Sequence, residues 1–323
     1  MSKKIKQLYY GYQDIWHCKN KSGSVKKMQE IIKSHLLNLK CNFEQDEIGN
    51  IFVGDFTKDR PCLVAHMDSV HYKKPYKVKL VGYKLSAKNG IGADDKAGIV
   101  AGLEVLKSMN DINVLFTVDE EIGCIGAEAI EEEKLANVQY FIELDRQGHK
   151  EIINDMIYGY TASLEFCNTI QPIMKKYKYK FGNGSFTDVQ VLGEKAEKSA
   201  INISCGYYNP HSNSEFQLLD ELIESIKLTK EILGTIKKEF VYNVSRYNSN
   251  NFNSRYDSNY NDIMLDCIDV CNDIPSLIDL ANEYFGEDTE DNLFVTNLLT
   301  KVYELGCVNG AELEENLYHN STN

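Results

Sequence analysis

The apolar positions along the chain fall into two kinds of run. Residues 62–65 (CLVA), 112–118 (INVLFTV), 140–144 (YFIEL) and 200–205 (AINISC) are short and almost wholly apolar. Such runs predict strands buried on both faces. Other apolar residues recur at helical spacing. Val25, Met28, Ile31, Ile32, His35, Leu36 and Leu39 predict a helix ending near Leu39, with Ser22 or Ser24 as its cap and His35 in the core or at its boundary. Ala97, Val100, Leu103 and Leu106, with Ile99 beside them, predict a second helix, and residues 124–133 a third. Residues 161–177 predict a fourth, with Leu164, Cys167, Ile170 and Met174 inward, and 218–236 a long amphipathic one. Residues 43–54 read as two short strands turning near Gly49 and Asn50, and 76–87 as a hairpin or meander. Strands alternating with helices predict a three-layer α/β domain over 1–240.

Residues 241–261 break this pattern: Asn, Ser and Tyr supply 15 of the 21 positions. That composition cannot pack a core and reads as a linker. Asp257, Asn259 and Asn261 have the spacing of a calcium loop, but Asp262 stands where it needs Gly and Ile268 where it needs Glu, which rejects it. Residues 262–323 show helical patches again and read as a small C-terminal helical module, with Cys267 and Cys271 as packing residues. Its fourteen acidic residues against Lys301 alone give a net of -13, the charge of the whole chain. Residues 1–261 therefore balance. The acidity argues against nucleic acid or an anionic membrane as a partner of this segment and leaves a protein partner open. Nine dispersed Cys without a CxxC pair, and an N-terminus without an apolar signal region, predict reduced thiols and a cytoplasmic protein. No run approaches the roughly 18 apolar residues of a membrane span.

The chemistry gathers where strands end. HMDSV (His66, Asp68) follows the 62–65 strand. GADDKAG (Asp94, Asp95) opens the second helix, which puts the acidic pair in a first turn favoured by the helix dipole. DEEIG (Glu120, Glu121) follows the 112–118 strand, LDRQG (Asp145, Arg146) the 140–144 strand, and NPHSNSEF (His211) the 200–205 strand. Open α/β sheets place sites at such strand ends. Two His and several carboxylates without Cys suit zinc or a similar divalent ion. A carboxylate can bridge two ions. Of two adjacent Glu residues, one can bind metal while the other stays free as a base.

Over residues 20–237 these motifs resemble the co-catalytic di-zinc metallopeptidases, the superfamily of peptidase T, carboxypeptidase G and the zinc aminopeptidases. HMDSV resembles their HxD signature, GADDKAG the bridging-Asp motif of peptidase T, and HSxxE a late signature. The resemblance implies a zinc-exopeptidase-like α/β/α domain with a mixed central sheet and two divalent ions, zinc by expectation. It implies that His66 and Asp145 bind one ion, Glu121 and His211 the other, and that Asp94 bridges both. It makes Asp68 the partner of the far ring nitrogen of His66, and Glu120 the general base that deprotonates a water shared by ions about 3.5–4 Å apart. The implied activity is an exopeptidase acting on peptides, either an aminopeptidase or a small-peptide peptidase. An N-acyl amino acid deacylase with the same centre, and a binding module that kept the fold, are the alternatives.

Asp145 and His211 are only 66 positions apart. Members with a lid or dimerisation domain carry on the order of a hundred extra residues here, so this chain is expected to lack that domain. An oxyanion donor must then come from elsewhere, and Tyr208 is a candidate. Ser185, Thr187 and Asp188 sit in a glycine-bearing loop that is either close to the site or a turn. Arg146 either meets a substrate carboxylate or pairs with Glu143. His17, His71, His149 and His319 have no motif context and read as surface or packing residues.

Overall fold

The computed structural model describes residues 3–156 and 159–242. The 262–323 module and nearly all of the 241–261 linker lie outside them. Three N-terminal helices, α1 (Lys3–Tyr10), α2 (Gln13–Trp16) and α3 (Lys26–Leu39), lead into β1 (Phe43–Gln45), β2 (Ile51–Val53) and β3 (Arg60–His66). The hairpin β4 (Lys79–Val81) and β5 (Lys84–Ser86) precedes α4 (Ala93–Leu106). Next come β6 (Asn113–Thr117), the short helices α5 (Ile125–Glu128) and α6 (Glu132–Leu135), and β7 (Val138–Arg146). Then follow β8 (Glu151–Met156), β9 (Gly159–Tyr160), α7 (Leu164–Tyr177), β10 (Lys180–Asn183), α8 (Asp188–Ala196) and β11 (Ala200–Ser204). The short strands β12 (Tyr207–Tyr208) and β13 (Phe216–Leu218) and the helix α9 (Leu219–Thr235) complete the domain.

The main sheet runs β1-β2-β6-β3-β7-β11-β8-β10, with β9 paired to β8. Its centre is parallel, β3 pairing with both β6 and β7, while β2 on β6 and β8 on β11 are antiparallel. Neighbouring residues of the central strands pack on opposite faces. Leu63, Val114 and Ile142 join one apolar cluster with Trp16, Ile32, Leu103 and Ile232. Val64, Leu115 and Phe141 join another with Ala127 and Leu192. A side-chain period of two with helices on both faces is why these strands read as solid apolar runs. The fold is the expected three-layer α/β/α domain with a mixed sheet. Residues 146–211 supply β8 to β12 of the two sheets, so no inserted domain separates Asp145 from His211.

Several expectations need correction. Neither Ser22 nor Ser24 caps α3, whose N-cap is Val25 without a side-chain bond; the Ser22 hydroxyl instead donates to Asp68. Asp94 and Asp95 have non-helical dihedrals, so the acidic pair precedes the regular turns of α4 rather than forming its first turn. Asp95 does the capping: its Oδ1 accepts from the Gly98 N–H at 2.7 Å. The 124–133 helix is two short helices. Leu164 is 77% exposed because α7 begins there, after the Ser163 cap, and Phe166 points inward in its place. Helices α1, α2 and α8 and strands β8, β9, β12 and β13 gave no readable pattern.

A second sheet, β12-β13-β5-β4, is small but decisive for the site. Strand β5 leads into the Gly90–Asp94 loop, and the hairpin between β12 and β13 carries His211.

Candidate metal centre

Three adjacent parallel strands bring most of the candidates to one edge. His66 ends β3 in register with Thr117 of β6. Asp68 follows β3, Glu120 and Glu121 follow β6, and Asp145 lies at the end of β7. The small sheet delivers Asp94 and His211 from the other side. All seven residues converge.

Asp94 sits between the two imidazoles, with Oδ1 3.0 Å from His66 Nε2 and Oδ2 3.2 Å from His211 Nε2. Glu121 Oε2 is 3.1 Å from His211 Nε2. Asp145 Oδ1 is 3.6 Å and Glu120 Oε2 3.9 Å from His66 Nε2. Four carboxylates, nearly all of their surface buried, thus crowd the wholly buried His66 imidazole and the exposed His211 imidazole. Isolated buried carboxylates cost several kcal/mol each, so protons or cations must compensate them. Burial pushes the Glu120 carboxyl well up, with Asp145, Asp188 and Glu121 adding to it. Burial and then Asp94 raise Asp145 to about 7. For Asp94, burial is outweighed by the His211 and His66 imidazoles, which hold it below the usual range. For His66, burial opposes the charge, but Asp145, Asp68 and Asp94 hold its pKa well above the ordinary value. Hydrogen bonds to Asp94 and Glu121 raise His211 to about 10.

The donor set fits divalent cations: oxygens and imidazole nitrogens at mutual distances that one or two ions span, with Glu121 Oε1 buried and without a hydrogen bond. Two triads have donor atoms within 4.8 Å of one another, His66 with Asp95 and Asp145, and His66 with Asp94 and Glu121. Asp95 is the poorer ligand of these. Its Oδ1 is spent on Gly98 and its Oδ2 accepts from the His66 N–H at 3.3 Å.

The contacts of the supporting residues are what sequence reasoning missed, together with the parts played by His71 and Lys96. Asp68 Oδ1 lies 3.4 Å from His66 Nδ1, too poorly aligned for a hydrogen bond. Its carboxylate instead accepts from the Glu120 N–H at 3.0 Å, the Glu121 N–H at 3.3 Å and the Ser22 hydroxyl at 2.8 Å. Asp68 thus ties the HMDSV segment to the backbone of the Glu pair. Glu215, fully buried, accepts from the Gly92 N–H at 2.6 Å and the Asp94 N–H at 3.1 Å. Its Oε2 is also 2.7 Å from His71 Nε2. A Cβ on Gly90 would lie 2.2 Å from the His71 ring, so only glycine admits the ring there. On the carbonyl side of the same loop, buried Lys96 donates to Ile91 O and Cys18 O at 2.7 and 2.9 Å, and burial lowers its pKa to about 8. His71 is therefore a member of the site's framework and not a bystander.

Tyr208 donates to Glu221 at 2.8 Å and stacks on Phe216. The phenol that reaches the centre is that of its neighbour Tyr207, which donates to Asp145 Oδ1 at 3.1 Å. Thr187 caps α8 and bonds Glu143, and Asp188 accepts from Thr117; both carboxylates are wholly buried beneath the site. Glu143 is therefore not paired with Arg146, whose guanidinium instead donates to Asn183 O at 3.5 Å. His149 lies against Glu221 and Glu224.

Residues 53–196 match the profile of Peptidase family M28. That span holds His66, Asp68, Asp94, Glu120, Glu121 and Asp145, and stops short of His211. Among solved structures, aminopeptidase PepT from Bacillus cereus superposes with a TM-score of 0.62 at 14% identity, over 71% of this chain and 98% of that one. A tripeptidase from Staphylococcus aureus gives 0.59 at 13% identity, over 71% and 97%. The aminopeptidase APDkam598 from Desulfurococcus kamchatkensis gives 0.56 at 14%, over 72% and 96%. These likenesses concern the fold. No curated protein sequence matches the chain. The profile match lies over the motifs, so residues 53–196 are similar to Peptidase family M28, and the fold is one that known aminopeptidases share.

Proposed function

We propose that the chain is a zinc-dependent exopeptidase, an aminopeptidase or small-peptide peptidase, that uses two divalent ions and Glu120 as its general base. In this reading His66 and Asp145 would hold one ion, Glu121 and His211 the other, and Asp94 would serve both. The observation that carries it is the placement of Asp94, one oxygen toward each imidazole. The names of the B. cereus and S. aureus structures, an aminopeptidase and a tripeptidase, agree with small unblocked peptides as substrates.

When bound, the ions polarise the scissile carbonyl and lower the pKa of a water. The chain's own residues do the rest. Glu120 takes the water's proton on a carboxylate oxygen and returns it to the leaving amine. Asp68, through the Glu120 and Glu121 N–H groups, holds both glutamates in place. Tyr207 and Asn202 fix Asp145, the Asn202 amide bonding both the N–H and the C=O of that residue.

Metal content and activity on one sample test the reading. Near two ions per chain, and cleavage of aminoacyl amides, dipeptides or tripeptides that a chelator abolishes and zinc restores, are the expected results. Glu120→Gln keeps the metal and loses about 10²–10⁴-fold in kcat. A Glu120→Gln protein with wild-type turnover would remove Glu120 as the base. Cleavage of N-acyl amino acids only would make the enzyme a deacylase.

A further inference from the structure

The chain leaves the metal centre at Asp68 and returns to it at Asp94. Between them, residues 69–93 contain six lysines, Lys73, Lys74, Lys77, Lys79, Lys84 and Lys88, and no Asp or Glu. All six are exposed, and no ion pair joins any of them to a described carboxylate. The excursion closes on itself: β4 pairs with β5, and the Lys88 N–H donates to Tyr76 O at 2.8 Å. A second acid-free stretch, residues 15–29, abuts it. Asn20 donates to the carbonyls of Met67 and Asp68, and the Ser22 N–H to Ser69 O at 3.2 Å. That stretch adds Lys19 and Lys21, the latter 4.4 Å from the Tyr72 ring centre.

The cationic strip also reaches the His211 hairpin. Lys84 Nζ lies 3.6 Å over the Phe216 ring, and Phe216 stacks on Tyr208 at 5.1 Å. These two rings are cross-strand partners flanking the loop that carries His211. Residues 1–261 are charge-balanced as a whole, so this strip is a local asymmetry at the rim of the centre and not an overall bias. Unpaired cations lining one side of a cleft raise the local concentration and the on-rate of anions.

We infer that the lysine strip of residues 69–93 is a substrate-selecting surface that favours peptides bearing acidic side chains beyond the bond to be cut. This deepens the peptidase reading and rests on it. A short acidic peptide is favoured over a nucleic acid because the strip is bounded at both ends by the metal-centre motifs, while residues 1–261 balance overall and so carry a net negative charge outside its six lysines. A long polyanion extending beyond the strip by more than a Debye length of about 8–10 Å meets net repulsion.

The test uses the full chain loaded with zinc and two peptides of equal length, Leu-Gly-Gly-Gly and Leu-Gly-Glu-Glu. At low salt kcat/KM for the acidic peptide exceeds that for the neutral one by about tenfold or more, and the ratio falls toward one by roughly 0.5 M NaCl. The combined Lys73→Gln, Lys74→Gln, Lys77→Gln and Lys79→Gln variant collapses the ratio. The control pair Lys175→Gln and Lys178→Gln, exposed at the C-terminal end of α7, preserves it. In parallel, fluorescein-labelled hexaglutamate binds with a salt-sensitive anisotropy change that the four-lysine variant loses. Equal cleavage of both peptides at all salt concentrations overturns the inference and leaves the peptidase reading standing. A ratio that the control pair lowers as much as the strip variant also overturns it. So does tighter binding of a labelled single-stranded oligonucleotide than of hexaglutamate. Hexaglutamate binding by the strip with no peptide cleaved keeps the surface and removes the peptidase reading.

Discussion

At the scale of single residues, the framework holding the ligands is as specific as the ligands. Glu215 joins two parts of the site that are 121 positions apart, the Asp94 backbone and the segment carrying His211. Its carboxylate accepts two backbone N–H bonds and faces His71 Nε2, work for which an amide is poorly suited, since its NH2 group meets donors. Glu215→Gln is expected to weaken metal binding about 10–100-fold, as removal of partners behind metal ligands does. Chelator competition on the purified protein reads this directly. The thermal midpoint of the zinc-free protein serves as the control, because a merely structural lesion would lower it as well. Unchanged zinc affinity would show that the loop keeps its geometry without Glu215. Asp68 follows the same logic. Asp68 faces the far ring nitrogen of His66 at 3.4 Å, as the HxD resemblance implies, and its hydrogen bonds go to the backbone of Glu120 and Glu121.

At the scale of elements, two features organise the molecule, and apart from the hairpin read over 76–87 neither has a strong local pattern. One is the small sheet. Strands of two or three residues cannot announce themselves by alternation, yet β5 and β13, paired antiparallel, set the separation between Asp94 and His211. The other is the N-terminal pair α1 and α2. Trp16 is wholly buried, its indole N–H donating to Leu8 O at 3.3 Å, in the same apolar cluster as α4 and α9. Trp16→Ala is expected to cost ~3–5 kcal/mol, measured by urea unfolding of the zinc-free protein. A cost under about 1 kcal/mol would mean that these helices add little to the core.

At the scale of the whole molecule, the catalytic domain ends later than residue 240. Phe240 is buried against Tyr140 and Phe166, Val241 bridges to Lys198, and the Tyr242 N–H donates to Glu197 O. We expect a chain of residues 1–242 to bind zinc and cleave peptides as the full chain does, whereas one ending at residue 238 loses stability through the exposed Phe240 pocket. Loss of all activity in the 1–242 chain would assign the acidic segment a part in the chemistry. Six cysteines among the described residues are unpaired, and no described helix is long and apolar enough to cross a membrane. The sequence by itself determined the layer architecture, because buried strands and amphipathic helices follow from the local order of apolar residues. It also determined the residue types of the centre, because each stands directly after such a run. Only the tertiary structure decided that Tyr207 and not Tyr208 reaches Asp145, and that Glu215, His71 and Lys96 hold the Asp94 loop. Those contacts join segments far apart in the chain, and a hydrogen bond between distant segments leaves no period in the sequence of either.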